Sequence, residues 1–312
     1  MKVVFFGTPE FAVPSLQALL PWFQVVAVVT RPDAPRGRGQ DRLEPPPVAL
    51  AARAAGLPVL QPRRPSEPGF LETLTALTPD ALAVAAYGHL IPDPHLAAAP
   101  LGAWNVHPSL LPRWRGPAPV HRALAVGDAE TGVTIIRLIA RLDAGPMARR
   151  QATPIAPGET RSALEARLAA VGAEMLVTTL REAGDGAVRL TPQDDAAATY
   201  AGMFSREEGE LKWAHPADEL DRLVRALAPS PGAWFALGAD RIKVLAAAPG
   251  GVPPAGASPG TLVRGTGQAG WSVACGTGAL VVREVQPPGK GRMPFAAFLA
   301  GRRLAPGSAL AD

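Results

Sequence analysis

The chain has 312 residues, 47% of them hydrophobic, enough for a sizeable core and for two domains of ordinary size. Its single cysteine, Cys275, excludes an internal disulfide and a multi-cysteine metal site, and the five histidines (89, 95, 107, 121 and 215) form no compact ligand set, so no metal is expected. The net charge of +4 favours an anionic partner, no apolar run reaches the length of a membrane span, and the apolar start is too short for a signal peptide, so the chain reads as cytoplasmic.

Residues 2–6 are continuously apolar, the pattern of a strand buried on both faces. Gly7-Thr8-Pro9-Glu10 turns the chain, residues 11–20 read as a helix with Pro14 in its first turn, and 25–30 as a second buried strand. This opening is Rossmann-like. Gly7 stands alone where a dinucleotide site needs Gly-x-Gly-x-x-Gly, which counts against a nicotinamide-dependent oxidoreductase. Prolines and glycines interrupt residues 31–47 throughout, so no regular structure is expected there. Arg31, Arg36, Arg38 and Arg42 make the stretch a flexible cationic loop. A helix follows at 48–55, a short strand at 57–60, a helix at 70–77 and a central strand at 81–86. The carboxyl end of that last strand runs into Tyr87-Gly88-His89-Leu90-Ile91-Pro92, where open α/β sheets bind ligands.

Trp104-Asn105-Val106-His107 alternates as a short strand, so Asn105 and His107 leave it on the same face. Pro108 disfavours a helical continuation, and Ser109-Leu110-Leu111-Pro112 makes a tight, mostly apolar loop before a helix at 120–126. Residues 131–138 form a β-branched strand, with Asp143 and Gly145 in the turn behind it. If the two strands are parallel neighbours, Asp143 reaches His107. An amide, an imidazole and a carboxylate so placed suit transfer through a tetrahedral intermediate, the amide and imidazolium holding the oxyanion and the carboxylate orienting the imidazole.

Apolar positions at helical spacing predict a long helix over 161–183. Residues 187–204, with Pro192 and the polar run Gln193-Asp194-Asp195, read as a linker. Ser205 and Glu208 form a capping box that opens a second domain, and a helix follows at 217–228. Short β-rich segments at 233–237, 241–247, 260–264, 270–275 and 279–285 suggest a small barrel. The expected organisation is therefore a domain over 1–186, a linker over 187–204 and a barrel over 205–312. Residues 205–312 carry most of the net positive charge, and Lys290, Arg292, Arg302 and Arg303 are expected to form a patch that tracks nucleic-acid phosphates.

The combination of Asn105-Val-His107-Pro-Ser-Leu-Leu-Pro with Leu142-Asp143-Ala-Gly145 resembles the active-site signature of the 10-formyltetrahydrofolate-dependent formyltransferases, and the likeness extends over nearly the whole chain. It implies an α/β fold: a Rossmann-like domain with a mostly parallel sheet, followed by a small OB-like β-barrel. It implies catalysis by Asn105, His107 and Asp143. The co-substrate would be 10-formyltetrahydrofolate, positioned by Ser109, Leu110, Leu111 and Pro112 and lined by Gly88, Leu90, Ile91 and Leu142. The pattern Pro32-Asp33-x-Pro35-x-Gly37-Arg38-Gly39 resembles an insertion of the tRNA-acting members. That likeness implies contact of Arg36, Arg38 and Arg42 with the acceptor end, and initiator methionyl-tRNA as the formyl acceptor. Arg137, Ile139 and Ala140 depart from the family pattern in the wall of the folate pocket. The other readings are a formyltransferase acting on glycinamide ribonucleotide or an amino-sugar nucleotide, and a non-catalytic RNA-binding protein, which has no need of Asn105, His107 and Asp143 together. No obligate protein partner is implied, and a monomer is expected.

Overall fold

Val3, Val4, Phe5 and Phe6 are fully buried in β1 (Lys2–Gly7), an interior strand of the sheet. The computed structural model describes residues 1–36, 42–264 and 270–310. After β1 come α1 (Val13–Leu19), led by a 3-10 turn at Glu10–Ala12, and β2 (Gln24–Val29). Pro14 sits in the first turn of α1, where its missing N–H costs nothing. A Cβ on Gly7 would lie 2.7 Å from the Phe5 ring and 2.8 Å from the Ala12 methyl, so only glycine lets the chain turn this tightly out of β1.

The stretch expected to be irregular contains a short hairpin, β3 (Ala34–Arg36) and β4 (Arg42–Glu44), with Arg36 opposite Arg42. The expectation failed because Pro35 and the flanking glycines tell against long elements, whereas a three-residue strand needs only one pairing partner. Next come α2 (Pro47–Ala54), β5 (Val59–Leu60), α3 (Phe70–Ala76), β6 (Ala81–Ala85), α4 (Asp93–Leu96), β7 (Ala103–His107), α5 (Pro119–Val126), β8 (Glu130–Arg137), β9 (Met147–Pro154) and α6 (Arg161–Gly184). The sequence reading had no α4 and no β9; β9 is polar and half-exposed, with no hydrophobic alternation to betray it.

The first unit, Met1–Pro119, Glu130–Pro154 and Glu165–Ala201, holds a seven-stranded sheet in the order β5-β2-β1-β6-β7-β8-β9. The strands from β5 to β7 pair parallel. The chain order reverses between β1 and β6, and at such a switch point open sheets leave a crevice at their carboxyl ends. Thr8 Oγ1 donates to the Tyr87 carbonyl (2.9 Å) and ties the two loops there together. On one side of the sheet Phe6, Phe70, Tyr87 and Ile91 form part of the core.

The condition of parallel neighbours, under which Asp143 would reach His107 directly, is not met. β8 runs antiparallel to β7, with His107 opposite Thr134 and Trp104 opposite Arg137, and β9 is antiparallel to β8. A strand buried on both faces carries the same apolar pattern whichever way it runs, so composition could not decide the direction.

The second unit is Val120–Ala129, Ile155–Leu164 and Gly202–Asp312. The Ser205–Glu208 capping box forms as expected, with Ser205 N–H donating to the Glu208 carboxylate (2.8 Å) and Glu208 N–H to Ser205 Oγ (3.2 Å), but it opens only a 3-10 turn at Glu207–Gly209. Then come α7 (Ala217–Leu227), β10 (Ala233–Leu237), β11 (Asp240–Pro249), β12 (Leu262–Arg264), β13 (Trp271–Ala274), β14 (Ala279–Gln286), β15 (Met293–Pro294) and α8 (Phe295–Arg302). The strands form a curled antiparallel sheet in the order β10-β11-β14-β13-β12, with β15 on β14. Leu220, Val224 and Leu227 of α7 are buried, and the helix lies on β11 and β14. Trp213, Phe235 and Phe295 fill the interior, with ring centroids 5.6 and 6.4 Å apart along the series. Among the described residues no helix is long and apolar enough to cross a membrane.

Candidate active site

Ala103, Asn105 and His107 share one face of β7, because strand side chains alternate with a period of two. Asn105 is half-buried; His107 is almost wholly buried. Its Nε2 lies 2.9 Å from the Trp114 carbonyl. A carbonyl only accepts, so Nε2 carries the hydrogen. Nδ1 faces Asp143, 3.7 Å from Oδ2. Neither ring nitrogen of His107 is thus turned to open solvent.

Asp143 reaches this place by a different route from the one expected. Since β8 runs away from His107, the chain must come back, and residues 138–146 fold over the face of β7. Leu138 N–H donates to the Ala103 carbonyl (2.8 Å) and Arg137 N–H to the Pro146 carbonyl (3.0 Å), closing the base of the loop. At its tip Asp143 takes a left-handed conformation, φ 47°, uncommon for a residue with a side chain and tolerated best by Asn and Asp. Asp143 Oδ2 accepts the Gly116 N–H at 2.8 Å, which holds the carboxylate beside the imidazole.

The Ser-Leu-Leu-Pro loop packs tightly against β8. Ser109 and Leu111 are fully buried and expose no side chain to a ligand. Ser109 Oγ donates to the Arg113 carbonyl (2.7 Å). Thr134 Oγ1 donates to the Ser109 carbonyl (2.7 Å) and accepts from Leu111 N–H (3.2 Å). These residues shape the turn that brings Trp114 and Gly116 onto His107 and Asp143. Leu110 and Pro112 are half-buried. Ile91 belongs to the core, whereas Gly88, with φ 89°, and the Leu90 and Leu142 side chains are exposed. Burial, then the neighbouring Arg31 and Arg64, hold the His89 ring below the ordinary histidine range, and burial pushes the Tyr87 phenol up to about 12. A cleft of about 360 Å³ lies at the other end of β7, bordered by Leu96, Ala99, Gly102, Ala103, Leu138 and Ile139. Of the residues expected in the wall of the folate pocket, Arg137 and Ile139 border it, whereas Gly88, Leu90, Ile91, Leu142 and the 109–112 loop do not.

Sequence reasoning did not foresee the segment that braces the site. Residues 199–201, assigned to a linker, pair with 112–118. Arg115 N–H donates to the Thr199 carbonyl (2.8 Å), Ala201 N–H to the Arg115 carbonyl (2.7 Å) and Trp114 N–H to Thr199 Oγ1 (2.9 Å). The Arg115 side chain is buried and meets Asp195 at 2.8 Å and Gln193 at 3.0 Å. The polar run at 193–195 was the available signal, but only partners distant in sequence give it meaning.

Of the residues expected to meet nucleic acid, Arg38 lies outside the described residues, and Arg36 and Arg42 are described by their backbone alone, as partners in the β3–β4 hairpin. The four basic residues near the end fall into two pairs along the chain. Lys290 and Arg292 precede β15, with Arg292 4.0 Å from Glu284. Arg302 and Arg303 lie at the far end of α8, where Arg302 pairs with Asp240. A helix of this length separates the pairs by about 10 Å.

Residues 1–180 match the family described as formyl transferase, and residues 203–303 match the formyl transferase C-terminal domain. The chain is 42% identical to the methionyl-tRNA formyltransferase of Geotalea uraniireducens, over 99% of this chain and 98% of that protein. It is 47% identical to the methionyl-tRNA formyltransferase of Halorhodospira halophila, over 98% of each. Among solved structures, HypX from Aquifex aeolicus in complex with tetrahydrofolic acid shares the fold at a TM-score of 0.64 and 16% identity, over 96% of this chain and 47% of that one. These matches run the length of both units, and the chain belongs to the formyl transferase family, within it to the methionyl-tRNA formyltransferases.

Proposed function

We propose that this formyltransferase moves the formyl group of 10-formyltetrahydrofolate to the amino group of methionyl initiator tRNA. The observation that carries the reading is the convergence of Asn105, His107 and Asp143 on one face of β7, in a chain whose full-length relatives are methionyl-tRNA formyltransferases. The neutral amine of the aminoacyl ester attacks the formyl carbon. Asn105 donates to the oxygen on which negative charge develops. His107, its Nε2–H on a carbonyl and its Nδ1 towards Asp143, supplies positive charge beside the site when protonated rather than a direct contact. Asp143 takes the amine proton, directly or through water. The intermediate collapses with cleavage of the bond to N10, which receives a proton, giving the formamide and tetrahydrofolate.

At the carboxyl ends of β6 and β7, the exposed Gly88 and Leu90 and the exposed Leu142 next to Asp143 offer the folate backbone groups and apolar surface. The arginines of the 31–47 stretch, Arg36, Arg38 and Arg42, and the basic residues Lys290, Arg292, Arg302 and Arg303 supply the phosphate contacts. Single-turnover formylation tests the reading, with methionyl initiator tRNA, methionyl elongator tRNA and glycinamide ribonucleotide as competing acceptors. A strong preference for the initiator is expected; transfer to the small amine alone overturns the choice of acceptor. Asn105→Ala is expected to lower the rate roughly 100- to 1000-fold while tRNA affinity persists, and equal loss of binding and turnover refutes its role.

A further inference from the structure

The polar run Gln193-Asp194-Asp195 has no part in the mechanism as derived, yet it touches the loop that carries Asp143. Gln193 Nε2 donates to two backbone carbonyls, that of Asp143 at 2.8 Å and that of Gly145 at 2.7 Å. Its Oε1 accepts from Arg115 Nε at 3.0 Å. The orientation of the amide is therefore unambiguous, since arginine only donates and carbonyls only accept. One amide holds the carbonyls on both sides of Ala144, and these fix the direction in which the left-handed Asp143 projects its carboxylate.

The clamp is itself anchored. Arg115 is 1% exposed, pairs with Asp195 at 2.8 Å, and is joined through its backbone to Thr199 and Ala201. Asp195 also meets Arg141, in the same loop as Asp143, at 3.0 Å. Burial of a charged arginine is costly, and its contacts with Gln193 and Asp195 offset that cost. The next residue after Arg115 is Gly116, whose N–H holds Asp143 Oδ2. Backbone and carboxylate of Asp143 are thus gripped from one frame, built from residues 115–116 and 193–201.

The geometry points to Gln193 as a positioning residue for formyl transfer: it pins the Asp143 loop so that the carboxylate stays on His107. The inference rests on the role given to Asp143 above. A carbonyl loop released from its clamp drifts on the scale of 1 Å, and a misplacement of that size costs about 100-fold in rate.

The test uses the full chain in steady-state formylation of methionyl initiator tRNA. Gln193→Ala is expected to lower kcat by roughly 10- to 100-fold, with KM for folate and for tRNA held within about twofold. Gln193→Glu keeps the size and the Arg115 partner but turns an acceptor towards both carbonyls, and is expected to show the same split; it decides the matter if the alanine variant does not fold. Thr178→Ala, on the exposed side of α6 where the hydroxyl donates to the Glu174 carbonyl of the same helix, is the control, expected to retain wild-type kcat. Wild-type kcat in both Gln193 variants, or a rise in KM at constant kcat, overturns the assignment. Asp143→Asn is measured in parallel. If it retains full activity, the role of Asp143 itself fails; if it is crippled while the Gln193 variants are not, only the positioning role fails.

Discussion

Gly145→Ala probes the folded-back loop most directly. A Cβ on Gly145 would lie 1.8 Å from the Arg137 carbonyl oxygen and 3.0 Å from its carbon, whereas real Cβ atoms stay beyond about 3.0 Å. The base of the loop must open by about 1.2 Å to admit the methyl. Two hydrogen bonds hold the segment in place, Arg137 N–H to the Pro146 carbonyl at 3.0 Å across the base and Gln193 Nε2 to the Gly145 carbonyl at 2.7 Å. Losing both costs about 2 kcal/mol, and the strain of forcing a side chain into a closed space adds ~1–3 kcal/mol. Asp143, two residues away, moves on the scale of 1 Å and should lose roughly 100-fold in kcat. Chemical denaturation reports the first quantity and single-turnover formylation the second. A variant with wild-type stability and a rate within about threefold of wild type refutes the argument that this backbone approach holds the carboxylate.

Two further outcomes follow from the second unit. Burial, then the charges of Arg161 and Arg122, pull His121 down from the ordinary 6.5 to about 4. The unfolded chain then binds the proton first as pH falls below 6.5, so stability is full above that pH and is lost progressively towards pH 4; the partly solvated ring limits the loss to on the order of 2 kcal/mol. Denaturation at pH 7 and pH 4.5 should show His121→Gln losing less than wild type, and equal losses refute the assignment. For tRNA binding, Lys290→Ala should reduce the slope of log affinity against log salt by about one, whereas Arg302→Ala should change it less because Asp240 already engages that guanidinium. The reverse ranking would place the phosphate contacts at the far end of α8.

Local pattern made much of the fold legible. The apolar runs at β1, β2 and β6, the long α6 and the five strands from β10 to β14 lie within a few residues of their expected positions, because burial on a sheet or along one helix face imposes a period that shows in a short window. The polar β9, the single turn of α4 and the apolar α8 had no such period to show, and the β3–β4 hairpin was hidden by its own prolines and glycines.

The same contrast holds for the active site. The sequence by itself determined that Asn105 and His107 share a face, since two-residue alternation is a property of any strand, and that a carboxylate-bearing turn follows the next one. Only the tertiary structure decided that β8 runs antiparallel, that the loop must double back to bring Asp143 to His107, that Ser109 and Leu111 are sealed in the core, and that the Trp114 carbonyl holds His107 Nε2. The reason is range. Gln193 finds its partners 48 to 78 residues away, and strand direction is set by what lies alongside; neither leaves a trace in the local periodicity of the chain.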